Sequence, residues 1–299
     1  MARIAVIGAT GYLGGYAVTR LRADGHTVRA VVRSPERASL PNGVETVRGD
    51  VTAPRTLADA FADVDGVLLT LNGGSDPEQA RRIEEHGVAN VAAAAEEAGV
   101  RRVVLISGMF AQPAYAEYPW EHSKARGEQL LMDSSVASTV FRVGFINETL
   151  AKFVPDGRPM LIGKQPHPIR PVAADDIMAA ASRAFGMPET ANKVYEVAGE
   201  QAMMLRQATA AYAGAISGKP VAPKAVRIMP LWFMRAINRL FLKGEMTRPL
   251  GVLASMDRHG DVTDTTAWFR DFGTPPTSFA RWIAGQRDDA PSTTERPSS

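Results

Sequence analysis

Short apolar runs alternate along the first half of the chain with longer stretches whose apolar positions recur at helical spacing. Ile4 to Ile7 predicts a strand, Leu13 to Asp24 a helix closed by Gly25, and Thr27 to Arg33 a second, β-branched strand. Val44 to Val47 is a short strand candidate, Ala53 to Ala62 reads as helical, and Val64 to Leu71 is a third apolar run. Asp76 to Ala98 predicts a long helix ending at Gly99. Strands over Val103 to Ser107 and Ser138 to Val143 then flank a helix from Glu121 to Met132. Parallel neighbours need long crossovers, so this alternation predicts an α/β fold with a doubly wound parallel sheet. Strands buried on both faces are apolar throughout, as in Val103-Val104-Leu105-Ile106.

Beyond about residue 150 the pattern loosens. Prolines at 155, 159, 166, 168 and 171 predict loops and short elements. Asp175 to Phe185 and Leu205 to Ser217 are helix candidates, and Val194 to Val197 is a possible edge strand. Ile228 to Lys243 carries Ile228, Leu231, Trp232, Met234, Ile237, Leu240 and Phe241 close to helical spacing. The end, 285–299, is rich in Asp, Pro, Ser and Thr and predicts a disordered tail. The expected organisation is a core over 1–150, a smaller C-terminal lobe over 151–284 interleaved with it, and that tail.

Composition narrows the function. The 34 basic residues barely exceed the 32 acidic ones, and no basic cluster stands out, so nucleic acid is not an expected partner. Cysteine is absent, which excludes thiolate catalysis and Cys-ligated zinc and leaves a cytoplasmic address as the expectation. No apolar stretch is long enough for a membrane span, and the N-terminus reads as a first strand rather than a signal peptide. The five histidines have no metal-ligand spacing, and there is no G-x-S-x-G elbow.

Gly8-Ala9-Thr10-Gly11-Tyr12-Leu13-Gly14 follows the first strand directly and opens a helix. In this G-x-x-G-x-x-G spacing, Gly8 permits a tight turn, Gly11 lets backbone approach a pyrophosphate, and Gly14 lets helix pack on sheet. The exposed amides and positive helix end then hold phosphates. The sheet is thus expected to be of the Rossmann type, with a dinucleotide cofactor. Nineteen residues past Gly14, where an NAD site usually carries an acid for the ribose hydroxyls, stands Arg33. A guanidinium there suits the extra 2′-phosphate, with Thr10 and Ser34 as hydroxyl donors, so NADP(H) is expected over NAD(H). The alternative is a solvated arginine after a strand. Asp50 and Val51, after the Val44 strand, are expected at the adenine edge, unless Asp50 caps the next helical region.

These segments, with Val32-Arg33-Ser34-Pro35, Gly49-Asp50 and Lys124 in a helix, resemble the short-chain dehydrogenase/reductase superfamily. More narrowly they resemble its atypical NmrA-like and isoflavone-reductase-like branch. The likeness runs to about residue 215 and includes Arg142-Val143-Gly144-Phe145-Ile146-Asn147-Glu148 and Pro171-Val172-Ala173-Ala174-Asp175-Asp176-Ile177. It implies chemistry by a Ser, a Tyr and a Lys, the last two as Tyr-x-x-x-Lys on one helix face. Here Lys124 minus four is Trp120, whose indole has no proton to give at neutral pH. Tyr118 is off that face, with Pro119 disfavouring helix at it, and is a surface or packing residue or else a displaced acid. Tyr115 is a weaker candidate still, and His122 lies on a different face. Ser107 stands where the resemblance puts the serine, as a donor to substrate or a hydroxyl satisfied by backbone. Lys124 is implied to orient the ribose or to act as general acid/base.

Leu71, Asn72 and Gly73 follow a strand and are expected beside the cofactor's ribose and pyrophosphate, or in a plain turn. At the carboxyl ends of such strands the ligand crevice opens. Gly144, Phe145, Ile146 and Asn147 are therefore expected in the pocket floor, with Met109 and Phe110 beside it. The 228–243 segment reads as a core helix or dimer face, with Trp232 in a lid over a flat substrate and a membrane-surface helix as the alternatives. The leading expectation is an NADPH-dependent reductase of a small apolar molecule, aromatic, enone or quinone-like, acting as a monomer or homodimer. The alternatives are an NADP(H)-sensing regulator without turnover and a non-redox lyase, isomerase or cyclase.

Overall fold

The computed structural model describes residues 1–288. In chain order the strands are β1 (Arg3–Ile7), β2 (Thr27–Val32), β3 (Glu45–Arg48), β4 (Gly66–Leu69), β5 (Arg102–Gly108), β6 (Ser138–Val143), β7 (Met160–Ile162), β8 (Pro168–Ile169), β9 (Lys193–Val197), β10 (Met203–Met204) and β11 (Arg227–Met229). Seven of them form one parallel sheet in the order β3-β2-β1-β4-β5-β6-β9. Strand order therefore reverses between β1 and β4, and at such a switch point the loops part to leave a crevice. Ile4 and Val6 face one side of the sheet and Ala5 and Ile7 the other, each group fully or almost fully buried. That double burial is the reason these strands are apolar without alternation.

The helices are α1 (Tyr12–Ala23), α2 (Leu57–Phe61), α3 (Pro77–Ala80), α4 (Gly87–Glu97), α5 (Pro119–Met132), α6 (Ala174–Ala184), α7 (Leu205–Ser217), α8 (Leu231–Phe241), α9 (Thr247–His259), α10 (Thr266–Phe272) and α11 (Phe279–Asp288). Helices α1, α6 and α10 cover one face of the sheet, through Val18, Ile177 and Trp268 among others. Helices α2, α4 and α5 cover the second, through Phe61, Val91 and Leu131. The helix expected as one piece over 76–98 is interrupted: α3 and α4 are joined by a π-helical turn, Arg81–His86. Gly127 of α5 packs there, where a Cβ would run into the Glu84 carbonyl.

A third apolar cluster joins the loops after β5 and β6 to α7, α9 and α11 and forms the smaller lobe. From the part of the chain beyond residue 150, β9 joins the main sheet and α6 and α10 pack on it. Helix α11 runs through Asp288, so the first residues of the expected tail are helical; 289–299 lie outside the described residues. Among the described residues no helix is long and apolar enough to cross a membrane, and no cluster could hold a metal ion.

Candidate dinucleotide site and substrate cavity

The turn after β1 is built for close approach. Gly8 has φ of 86°, and a Cβ on it would stand 2.6 Å from the Thr70 carbonyl oxygen of the neighbouring strand end. The Gly11 amide donates to the Gly8 carbonyl at 2.8 Å, tightening the turn, and a Cβ on Gly14 would collide with that same carbonyl. Gly11 is the N-cap of α1 and no side chain caps the helix. Thr10, Gly11 and Tyr12 are exposed, so the first-turn amides are free to face a ligand. This uncapped glycine cradle fits a pyrophosphate, and Leu13 half-buries its side chain behind it.

Arg33 and Ser34 lie at the end of β2. The Arg33 side chain is exposed and, among the described residues, makes no ion pair, so its guanidinium is available to an anion. Asp50 follows β3 in a turn of its own, one carboxylate oxygen accepting from both the Thr52 amide and hydroxyl at 2.8 Å. Asp50 thus holds a local turn and caps neither of the helical segments that follow. Val51 is buried, and its carbonyl accepts from Asn90 Nδ2 at 2.8 Å, which fixes the loop along the same edge.

Past β4, Asn72 Oδ1 accepts from the Gly74 amide at 2.8 Å, and Lys124 Nζ donates to the Leu71 carbonyl at 3.1 Å. Beneath this loop lies a residue that the sequence reading missed. Glu84, on the π-helical turn, is almost completely buried and accepts hydrogen bonds from three donors. The Gly73 amide donates to it at 3.1 Å, Arg248 of α9 forms a two-point pair at 2.8 and 3.1 Å, and Lys124 Nζ is 3.3 Å away. One carboxylate therefore ties the loop after β4, the candidate lysine and the C-terminal lobe together. No local motif announces it: Glu84 sits in an Ala- and Glu-rich helical stretch, and Arg248 is remote in sequence.

Ser107 points elsewhere. Its hydroxyl is buried without a well-formed hydrogen bond, beside Glu128, and it does not line the substrate cavity described below. Glu128 is one turn beyond Lys124 and accepts from Arg142 Nε at 2.8 Å. Burial pushes the Glu128 carboxyl above the ordinary glutamate value, and the Arg142 guanidinium opposes that shift. The serine expected to touch substrate thus belongs to a buried polar layer under α5.

A cavity of about 540 Å³ opens at the carboxyl ends of β5 and β6. Met109, Phe110, Gly144, Phe145 and Ile146, all expected there, line it, as does Lys124. Asn72 borders it as well. Helix α9 closes the opposite wall with Val252, Leu253 and Met256, and Arg248 enters beside them. Lys152, also in the lining, lies 5.4 Å over the ring of Tyr12, so the cavity adjoins the glycine loop. Two expected substrate residues are elsewhere. Asn147 is fully buried behind the cavity wall, its amide without a hydrogen-bond partner, and Trp232 is 71% exposed on α8, outside the cavity.

Trp120, in the place of the tyrosine, is buried in the cavity wall. Its ring stacks on Tyr118 at 5.0 Å and occupies the space that a side chain at Gly251 of α9 would need. Tyr118 does not line the cavity: its hydroxyl accepts from Arg235 at 3.1 Å. Glu121 lines the cavity but its oxygens are committed to the Glu117 and Tyr118 amides and to Ser255 Oγ, capping α5. His122 is exposed on the far side of that helix.

The profile of the NAD(P)H-binding family matches residues 8–165. The NAD(P)H azoreductase of Xenophilus azovorans is 29% identical over 93% of this chain and 96% of its own length. The (4-alkanoyl-5-oxo-2,5-dihydrofuran-3-yl)methyl phosphate reductase of Streptomyces griseus is 34% identical over 69% of this chain and 71% of its own. Among solved structures, the NADPH-dependent quinone oxidoreductase QOR2 of Escherichia coli in complex with NADPH superposes with a TM-score of 0.72. That match covers 94% of this chain and 99% of the other at 26% identity. With the parallel sheet, its switch-point crevice and the glycine cradle, these matches establish that the chain belongs to the NAD(P)H-binding oxidoreductase family, in the atypical short-chain dehydrogenase/reductase branch.

Proposed function

We propose that the protein is an NADPH-dependent reductase of a small apolar acceptor, such as a quinone, an enone or an azo compound. The observation that carries this reading is the position of Lys124. Its ammonium holds the Leu71 carbonyl on the dinucleotide side and lines the apolar cavity on the other. The names of the relatives, an azoreductase and a quinone oxidoreductase, point to the same class of acceptor.

A bound nicotinamide supplies the hydride, and the protein contributes alignment, dryness and charge. The Gly8–Gly14 cradle would hold the pyrophosphate, and Arg33 with Ser34 and Thr10 the 2′-phosphate. Met109, Phe110, Phe145 and Ile146 exclude water and present a flat apolar surface to a ring. Lys124 has three donors, two of them committed to Leu71 and Glu84. The third is left for the ribose, or for the acceptor oxygen or nitrogen that turns negative on receiving hydride. Trp120 fills the place of the usual acid without supplying its proton, which favours acceptors whose reduced form is a stabilised anion over simple ketones.

Mixing the protein with NADPH and a panel of quinones, enones, azo dyes and simple ketones tests this through the loss of NADPH absorbance. Turnover is expected with the first three groups and little with ketones. NADPH binding with no oxidation by any of them would overturn the reading in favour of a nucleotide sensor. Conversion of a substrate without absorbance change would do so in favour of non-redox chemistry.

A further inference from the structure

Exposed large apolar side chains are concentrated in one place. Apart from Met1 and Tyr12, all of those in the described residues lie between Ile228 and Leu242. Trp232 and Leu240 on α8 are each 71% exposed and Phe241, at its end, 75%. Trp232, Ala236 and Leu240 recur every fourth residue and so form one stripe, while Asn238 faces inward and is buried. A surface of this kind calls for a partner.

The charge around the stripe identifies that partner's chemistry. Lys224, Arg227, Arg235, Arg239 and Lys243 are all exposed, and among the described residues none of them forms an ion pair. From Gln201 to Gly244 the chain has no Asp or Glu at all. Spread over twenty residues these cations are not conspicuous in the sequence, but the fold gathers them around the apolar stripe. A second copy of the chain is the poorer fit: a two-fold contact lays the same patch on itself and would set these unpaired cations against one another. An aromatic and aliphatic stripe bordered by unpaired Lys and Arg matches the interface of an anionic bilayer, where a helix too short to span lies in the plane.

The position of this helix relative to the cavity gives the contact a purpose. Asn238 Oδ1 accepts from the Met246 amide at 2.9 Å and its Nδ2 donates to Thr247 Oγ1 at 3.0 Å, holding the turn that lines the cavity with Glu245 and Met246. Upstream, β11 pairs with β7, whose Met160 and Ile162 line the cavity too. The exposed segment is thus fastened to the cavity wall at both ends. We infer that α8 and its flanking cations dock the protein on anionic membrane surfaces, bringing the cavity to acceptors dissolved in lipid. The docking stands by itself; the delivery of a lipid-dissolved quinone rests on the proposed reductase activity.

Flotation of the full chain with phosphatidylcholine vesicles, with and without phosphatidylglycerol, tests the docking. Trp232 gives a second readout, because Trp120, Trp268 and Trp282 are buried, and its emission should shift to the blue on binding. The chain is expected to float with anionic vesicles only. Trp232→Ser with Leu240→Ser should weaken partitioning about tenfold or more, and Arg239→Gln with Lys224→Gln about fivefold per charge. Failure to float with anionic vesicles overturns the inference. So does binding that the apolar pair of substitutions leaves unchanged, which is polyanion attraction alone, or a concentration-dependent dimer that Trp232→Ser abolishes in the absence of vesicle binding. In NADPH oxidation assays the Trp232→Ser, Leu240→Ser variant should keep turnover with a water-soluble quinone and lose it with a long-chain quinone embedded in the vesicles. Equal turnover with both would overturn the delivery. An absence of oxidation with every quinone, alongside intact vesicle binding, would strike the reductase reading and leave the docking in place.

Discussion

Arg33 is an exposed cation at the end of β2 that forms no ion pair among the described residues, and the proposed function makes it the residue that selects the nucleotide carrying a 2′-phosphate. A charge-assisted pair with a phosphate contributes roughly 1.5–3 kcal/mol, or about ten- to a hundredfold in affinity. Arg33→Ala should therefore raise the Kd for NADPH by about that factor and leave NADH binding nearly unchanged. Calorimetric titration of both nucleotides measures this, and equal losses would remove Arg33 from the 2′-phosphate. The proposed function gives Lys124 the corresponding role at the other end of the cofactor. Lys124→Met keeps the aliphatic stem but no donor, so NADPH oxidation should fall on the order of a hundredfold, the usual scale for losing a positioned proton donor. Turnover that survives in this variant would reduce Lys124 to a structural pin between Leu71 and Glu84.

At the scale of elements, periodicity located the sheet well because its strands are buried on both faces. Ser138–Val143 has the observed bounds, and the other main-sheet strands shift by a residue or two. What escaped is the tertiary part of the site. Helix α9 supplies a cavity wall, yet Pro249 and Gly251 within it lower its helix propensity, and Gly251 is there to make room for Trp120. The π-helical turn that buries Glu84 looks in sequence like one more turn of an ordinary helix, and the close approach of α5 to it at Gly127 is a tertiary contact with no local signal. The sequence puts Ser107 at the end of β5, but the surroundings of its hydroxyl include Glu128 and Arg142, which only the folded chain brings together. The Glu84 hub has a measurable consequence. Glu84→Gln leaves Arg248 buried without its counter-charge, a change that costs on the order of 3 kcal/mol. Thermal unfolding should shift down by several degrees and NADPH oxidation should fall with it, because Lys124 loses an anchor. A variant that melts and turns over like the parent would show that Glu84 merely fills space.

Across the whole molecule, buried and half-buried carboxylates help to join the lobe to the core. Glu121 of α5 reaches Ser255 of α9, Glu148 accepts from Trp282 Nε1 of α11, and Asp176 of α6 holds both the amide and the hydroxyl of Thr277. Burial raises the pKa of all three, with hydrogen bonds opposing it. The sign follows from linkage: an acid that holds its proton more tightly in the folded state contributes most below its unfolded pKa, about 3.9 for aspartate. That contribution is lost as pH rises through the higher folded value. Asp176→Asn isolates the effect, because the amide oxygen can accept from the Thr277 amide while its NH₂ donates to the hydroxyl, reversing only the second bond. The variant has no charge to desolvate, so its melting temperature relative to the parent should be lowest near pH 4 and climb to a plateau in the neutral range. Melting curves across that range measure the difference directly. A variant-minus-parent difference that stays flat, or falls as pH rises, would mean that the hydrogen bonds from Thr277 outweigh burial at this joint and that Asp176 stabilises it as a carboxylate.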